Sequence, residues 1–328
     1  MLVMILTTGC SSPASVNTWT QDSAELSVAV TFDALYELAI AVGGDRVSVI
    51  NIMPPGAEAH HFEPGARDLE LLNNADLFII CGLGFEPWAD NAVNAAANGR
   101  LVVCDASRGV DPIELGDGHY DPHAWLSPAC AVIMARNVRD AFTKADPDGA
   151  DSYRRNFDEF TLRLSGLIDE YSEKFEPLGN KTIVTGHAVF AYLCRDFGLA
   201  QNSVEGVFAE GGPSARALAD LVDFCRANNV RTILAEALAS PLVAETLATE
   251  AGASVDVIYT MESAEDGLSY LARMEHNLKV IYDSVSAEPS PLHTKRLFRT
   301  GCYTAQRRNR PAPAAPNGPR SRLYRRRA

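Results

Sequence analysis

The sequence predicts an α/β protein of two Rossmann-like lobes with mostly parallel sheets, joined by one long helix. Three observations lead there. Short β-branched runs alternate with longer segments of helical period between residues 26 and 286. One stretch of helical period, DPDGADSYRRNFDEFTLRLSGLIDEYSEKFEP at 146 to 177, interrupts that alternation. The length of 328 residues, 47% of them apolar, exceeds what one ordinary core needs and suits two.

In the first half the strands are LSVAVTF (26 to 32), RVSVINI (46 to 52), ADLFIIC (75 to 81) and RLVVCD (100 to 105). Helices start near Asp33, Ala66 and Pro87, and a fourth follows Ser127, whose hydroxyl can cap it with Pro128 at the first helical position. In the interrupting helix, Tyr153, Phe157, Phe160, Leu162, Leu164, Leu167, Ile168, Tyr171 and Phe175 recur at helix-like spacing. The second half restarts the alternation with TIVTG (182 to 186), TILAE (232 to 236) and SVDVIY (254 to 259), and with helices at 188 to 197, 213 to 228, 241 to 250 and 264 to 285. The resulting plan is a leader and leash at 1–25, an N-terminal lobe at 26–145, a linking helix at 146–178, a C-terminal lobe at 179–286 and a tail at 287–328.

The two ends differ from the body. MLVMIL runs into TTGCSS, the order of a bacterial lipoprotein signal in which Cys10 receives lipid; residues 11 to 25 would then act as a leash to a membrane. From Ala287 onward Pro, Arg, Ala and Asn dominate, a composition that cannot bury enough apolar area to fold, so this basic tail is expected to be disordered. The formal charge of −13 hides its effect. Without the eleven bases of residues 291 to 328, which hold no acid, 18 bases face 42 acids, about −24 on the body. Such a field attracts cations and opposes nucleic acid. Seven cysteines without a CxxC pair exclude a disulfide scaffold and a four-cysteine zinc site, and Cys81, Cys104 and Cys194 read as buried thiols.

Four candidate metal ligands follow the carboxyl ends of expected strands, the edge at which open α/β sheets place ligands. His60 lies in PPGAEAHHFEPG, His123 in GHYDPHAWLSP, His187 directly after TIVTG, and Glu262 in YTMESAEDG. Glu236, at the end of its own strand, competes with Glu262, and water could replace either. Three neutral imidazoles and a carboxylate oxygen suit Zn2+ and can also hold Mn2+, whereas magnesium and calcium prefer oxygen cages. The histidines stand about 60 residues apart, so they can meet only by convergence from both lobes, with their rings within about 8 Å of one another around one ion. His61 is expected to point elsewhere, His119 to be a surface residue, His276 to be structural and His293 to belong to the tail. Protons compete for imidazole nitrogen, so affinity is expected to fall as pH drops toward the histidine range. The rival reading is a zinc hydrolase with Glu262 or Glu236 as general base, which no HExxH element supports.

The segments MPPGAEAHHFEPGARDLELLNNADLFIICGLGFEPW, DPHAWLSP, TGHAVFAYLCRDFGL, AEALASPLVAETLATEAGASV and GLSYLARMEHNLKVI, in this order, resemble the solute-binding proteins of zinc and manganese ABC transporters from about Val28 to Val285. The resemblance implies two lobes joined by a rigid helix, metal in the cleft between them and little hinge closure. It also implies an ABC permease as partner, a monomer outside the cytoplasmic membrane, no enzymatic activity, and His60, His123 and His187 as ligands. In this family the fourth ligand is commonly Asp, where this chain has Glu262, and many zinc members carry a long His-rich loop where this one has GDGHYDPH. Zinc is favoured over manganese by the third histidine, and a surface adhesin role is a further alternative.

Overall fold

The computed structural model describes residues 19, 25–179, 181–208, 214–237, 241–264 and 267–286. Cys10, the leader and the basic tail lie outside these residues. The first half runs β1 (Leu26–Val30), α1 (Asp33–Gly43), β2 (Val47–Asn51), α2 (Ala66–Asn74), β3 (Leu77–Ile80), α3 (Ala89–Ala96), β4 (Val102–Asp105), β5 (Glu114–Gly116), β6 (His119–Tyr120) and α4 (Pro128–Ala145). Strands β1 to β4 form a parallel sheet in the order β2-β1-β3-β4, with Leu26 beside Val47 and Val28 beside Leu77. Strand β1 is buried throughout because neighbours flank it on both sides and helices cover its faces.

The long helix α5 (Ala150–Phe175) leads to β7 (Thr182–His187), α6 (Ala191–Phe197), β8 (Ala200–Glu205), α7 (Ala215–Ala227), β9 (Thr232–Glu236), α8 (Pro241–Ala251), β10 (Ser254–Ile258) and α9 (Tyr270–Ser286). The second sheet is also parallel, in the order β10-β9-β7-β8. Each sheet therefore sends all its carboxyl ends to one edge, and a ligand cluster fed from both sheets becomes geometrically available.

Sequence patterning missed three strands. β8, AQNSVE, is a polar, half-exposed edge strand with little hydrophobic alternation. β5 and β6 form a short antiparallel hairpin turning at Asp117 and Gly118, both at positive φ (52° and 80°), the backbone for which Asp-Gly is suited. This hairpin delivers the chain to His123. The Ser127 cap forms as expected, its hydroxyl oxygen accepting the Cys130 N–H at 3.1 Å.

A single apolar cluster runs through both sheets, including Val28, Leu35, Trp125 and Met134 on one side and Ile183, Tyr192, Leu234 and Met274 on the other. Polar bonds reinforce it. Trp125 Nε1 donates to Thr260 O at 2.8 Å, the Ala34 N–H donates to Met261 O at 2.9 Å, and the Tyr192 hydroxyl donates to Asp121 O at 2.6 Å. Arg273 on α9 and Asp33 at the start of α1 form a buried ion pair, and Ser127 bonds Asp196 of α6.

The joining helix buries Tyr153, Phe157, Phe160, Leu164, Tyr171 and Phe175, but Leu162, which its sequence pattern placed with them, is 73% exposed. Leu164 is fully buried, so Leu164→Ala is expected to cost about 2 to 5 kcal/mol in urea unfolding, through lost transfer energy and an unfilled cavity. Leu162→Ala should stay within about 0.5 kcal/mol of wild type.

Candidate metal site

His60 sits in a 3-10 turn, Ala59–His61, whose preceding residue Glu58 accepts the His60 N–H at 3.3 Å. His123 follows the hairpin and is fully buried against Trp125, with ring centroids 5.1 Å apart. Its backbone N–H and its Nδ1–H both donate to Asp121 Oδ1, at 2.9 and 2.8 Å. This leaves the His123 lone pair on Nε2. His187 is the last residue of β7; its backbone N–H donates to Glu236 Oε1 at 2.8 Å and its Nε2–H to Val207 O at 2.7 Å. Glu262 follows Met261, which holds a left-handed φ of 59° while its carbonyl accepts from Ala34.

These elements gather His60, His123, His187 and Glu262 so that one donor atom from each lies within 4.8 Å of the others. The three imidazole centroids are 5.1, 5.6 and 5.4 Å apart, inside the separation that the sequence reading requires. His60 Nε2 and His123 Nε2 stand 3.2 Å apart. Two nitrogens each about 2.05 Å from a tetrahedral zinc would be roughly 3.3 Å apart, so this pair is already spaced for one ion. Glu262 Oε1 lies 4.0 Å from His123 Nε2.

Glu236 does not join the cluster. It lies behind His187, bonded to its backbone, and faces a separate cavity of about 150 Å³ that also meets Glu205, Val204 and Leu247. His61 turns to Glu58 and is 68% exposed in its side chain. His276 bonds Val257 O at 3.0 Å and is not one of the clustered donors. Asp121, Val207 and Phe208, whose ring meets His60 edge-on at 6.1 Å, were not singled out from sequence. Only Asp121 carried a signal, its place two residues before His123. Among the described residues, Cys81, Cys104, Cys130, Cys194 and Cys225 are buried free thiols.

Burial, then repulsion from His123 and His187, pushes the His60 imidazole down to about 3. Burial and His123 push His187 down to about 4. Both rings are therefore neutral throughout the neutral range, and proton competition at them moves below the ordinary histidine range. Glu236 shifts the other way, up to about 7, because burial and the Glu205 charge outweigh its bond from the His187 N–H.

A depressed histidine contributes stability above its unfolded value of about 6.5 that is lost as pH falls toward its folded value. For the metal-free protein, wild type should therefore lose stability relative to His187→Gln between pH 6.5 and about 4, by about 2 to 3 kcal/mol at the acid end. Urea unfolding of both proteins across that range, in the presence of chelator, measures the difference; a constant gap would mean that His187 does not resist protonation.

Residues 28–284 match the family model described as ZnuA, zinc-uptake complex component A periplasmic. A Treponema pallidum protein provisionally described as metal-binding is 41% identical over 282 residues, covering 81% of this chain and 89% of the relative. The Bacillus subtilis high-affinity zinc uptake system protein ZnuA is 30% identical, covering 86% of this chain and 94% of its own. Among solved structures, the Zn(II)-bound ZnuA-like domain of Streptococcus pneumoniae AdcA superposes with a TM-score of 0.71 at 30% identity, over 80% of this chain and all of that one. The laminin-binding protein Lmb of Streptococcus agalactiae, described as bifunctional with adhesin and metal transporting activity, gives 0.75 at 33% identity, over 80% of this chain and 99% of that one. The chain belongs to the ZnuA family of periplasmic zinc-uptake components, which are solute-binding transport proteins and not enzymes.

Proposed function

We propose that this protein captures zinc outside the cytoplasmic membrane through His60, His123, His187 and Glu262 and hands it to an ABC import permease. The observation that carries the reading is the convergence of four donors from two sheets to within 4.8 Å of one another. Neutral imidazoles bind without first losing protons, and the carboxylate offsets one charge of the ion. The acidic body concentrates cations around the cleft. Manganese is the competing cargo; three nitrogen donors favour zinc, which stands higher in the affinity order of divalent metals. Lipid attachment at Cys10 would hold the protein beside its permease. The likeness to Lmb supports a second reading, in which the same fold also contacts host matrix.

Zinc at about 1,000 times its dissociation constant should stabilise the protein by about 4 kcal/mol, read as a rise in melting temperature that chelator reverses. In competition titrations with a chromophoric chelator, His60→Ala, His123→Ala and His187→Ala should each weaken zinc more than the roughly 10- to 100-fold typical of outer-shell losses. Glu262→Gln should weaken it less than any of the three. Unaltered affinity in any histidine variant would remove that residue from the site.

A further inference from the structure

We propose that Asp121 is the positioning residue of the zinc site, a buried carboxylate that serves the bound ion and destabilises the metal-free fold. The inference rests on the zinc reading above. Asp121 is 1% exposed, and its Oδ1 accepts both N–H groups of His123, which is itself fully buried. Its other oxygen, Oδ2, is buried and has no hydrogen-bond partner among the described residues. A buried carboxylate with one oxygen lacking a donor carries a desolvation cost that the bonds to its other oxygen offset only in part.

The shape of the loop does not rest on that charge alone. The Tyr192 hydroxyl fixes the Asp121 carbonyl at 2.6 Å, the Asp121 N–H donates to Ile113 O at 2.9 Å, and the Cys81 thiol meets Pro122 O at 3.6 Å. Trp125, two residues beyond His123, is anchored through Thr260 O. The backbone around His123 is thus held by several groups besides the carboxylate, whose Oδ1 takes the His123 backbone N–H, a bond that an uncharged amide oxygen can also accept.

What the charge does supply is orientation and basicity at one ring. The Nδ1–H bond fixes the His123 tautomer and aims Nε2 at His60 Nε2, 3.2 Å away. When a divalent cation takes that Nε2 lone pair, the imidazole becomes more positive and its Nδ1–H bond to a carboxylate strengthens. The positive charge that Asp121 lacks in the metal-free fold therefore arrives with the cargo, relayed through His123.

Asp121→Asn tests this because it keeps the shape and an acceptor for Nδ1–H while removing the charge. The expected result is a pair of opposite effects: the metal-free variant melts a few degrees above wild type, and its zinc affinity drops about 10- to 100-fold. A merely structural residue would move both in the same direction. In a His123→Gln background the same substitution should change zinc affinity by less than about twofold, since the relay is already gone. Unchanged affinity, a full affinity loss in the His123→Gln background, or a metal-free variant that is less stable or fails to fold would each overturn the role of Asp121. Wild type is titrated alongside: if it ignores zinc, the zinc reading itself falls, whereas if it binds zinc as tightly as the Asn variant, only the inference about Asp121 falls.

Discussion

The site depends on one mechanical constraint, the fixing of the Thr260–Ser263 turn from the second sheet to the elements of the first. Thr260 O accepts from Trp125, Met261 O accepts from the first turn of α1, and the Gly56 N–H donates to Ser263 Oγ at 2.8 Å. Met261 is fully buried in a left-handed conformation, a backbone state that persists in a non-glycine residue only when its surroundings over-determine it. Glu262 projects from the middle of this turn. On the other flank, α6 begins four residues after His187 and is tied to the His123 loop through Tyr192 and Asp196. Donors from the two sheets therefore meet because the sheets share a core and a set of crossing bonds.

Electrostatics acts on the same cluster. Burial first, and then repulsion from the neighbouring imidazoles, keeps His60 and His187 neutral at physiological pH. Two carboxylates near the site respond in the opposite sense. Glu86, bonded by the Thr31 hydroxyl and the Cys81 and Gly82 N–H groups, is raised to about 7 by burial, as is Glu236. Acidification thus costs the fold through the histidines and relieves it through these acids, so the variant-minus-wild-type difference isolates a histidine better than the whole-protein pH profile does.

Much of this was legible in the sequence because each signal had a short physical cause. TILAE at 232 to 236 reads as a buried strand and is one, and Ser127-Pro128 reads as a helix start and is one. The convergence of the four donors could be expected because parallel sheets put strand ends on one edge. What was not legible depends on tertiary partners. β8 is a strand by pairing with β7, not by its own alternation; Leu162 falls outside the buried face although its spacing resembles that of its neighbours. The choice between Glu262 and Glu236 could not be settled from sequence, since Glu236 ends one strand and Glu262 follows another at the same edge of the sheet. The crossing bonds decide it by turning the Glu262 turn toward His123 while the His187 backbone takes up Glu236.

That same placement separates capture from hydrolysis. A zinc hydrolase leaves one coordination position to water and keeps a general base within hydrogen-bond reach of it. Here Glu262 offers a fourth donor beside the three imidazoles, and Glu236, the alternative base named from sequence, is turned away to the His187 N–H and a small cavity of its own. The rings of Phe85 and Phe208 meet His60 edge-on at 5.3 and 6.1 Å, adding apolar surface where a catalytic site would need room for water and substrate. Four donors gathered at one point make a site suited to holding an ion and giving it up whole, the chemistry that an uptake component requires.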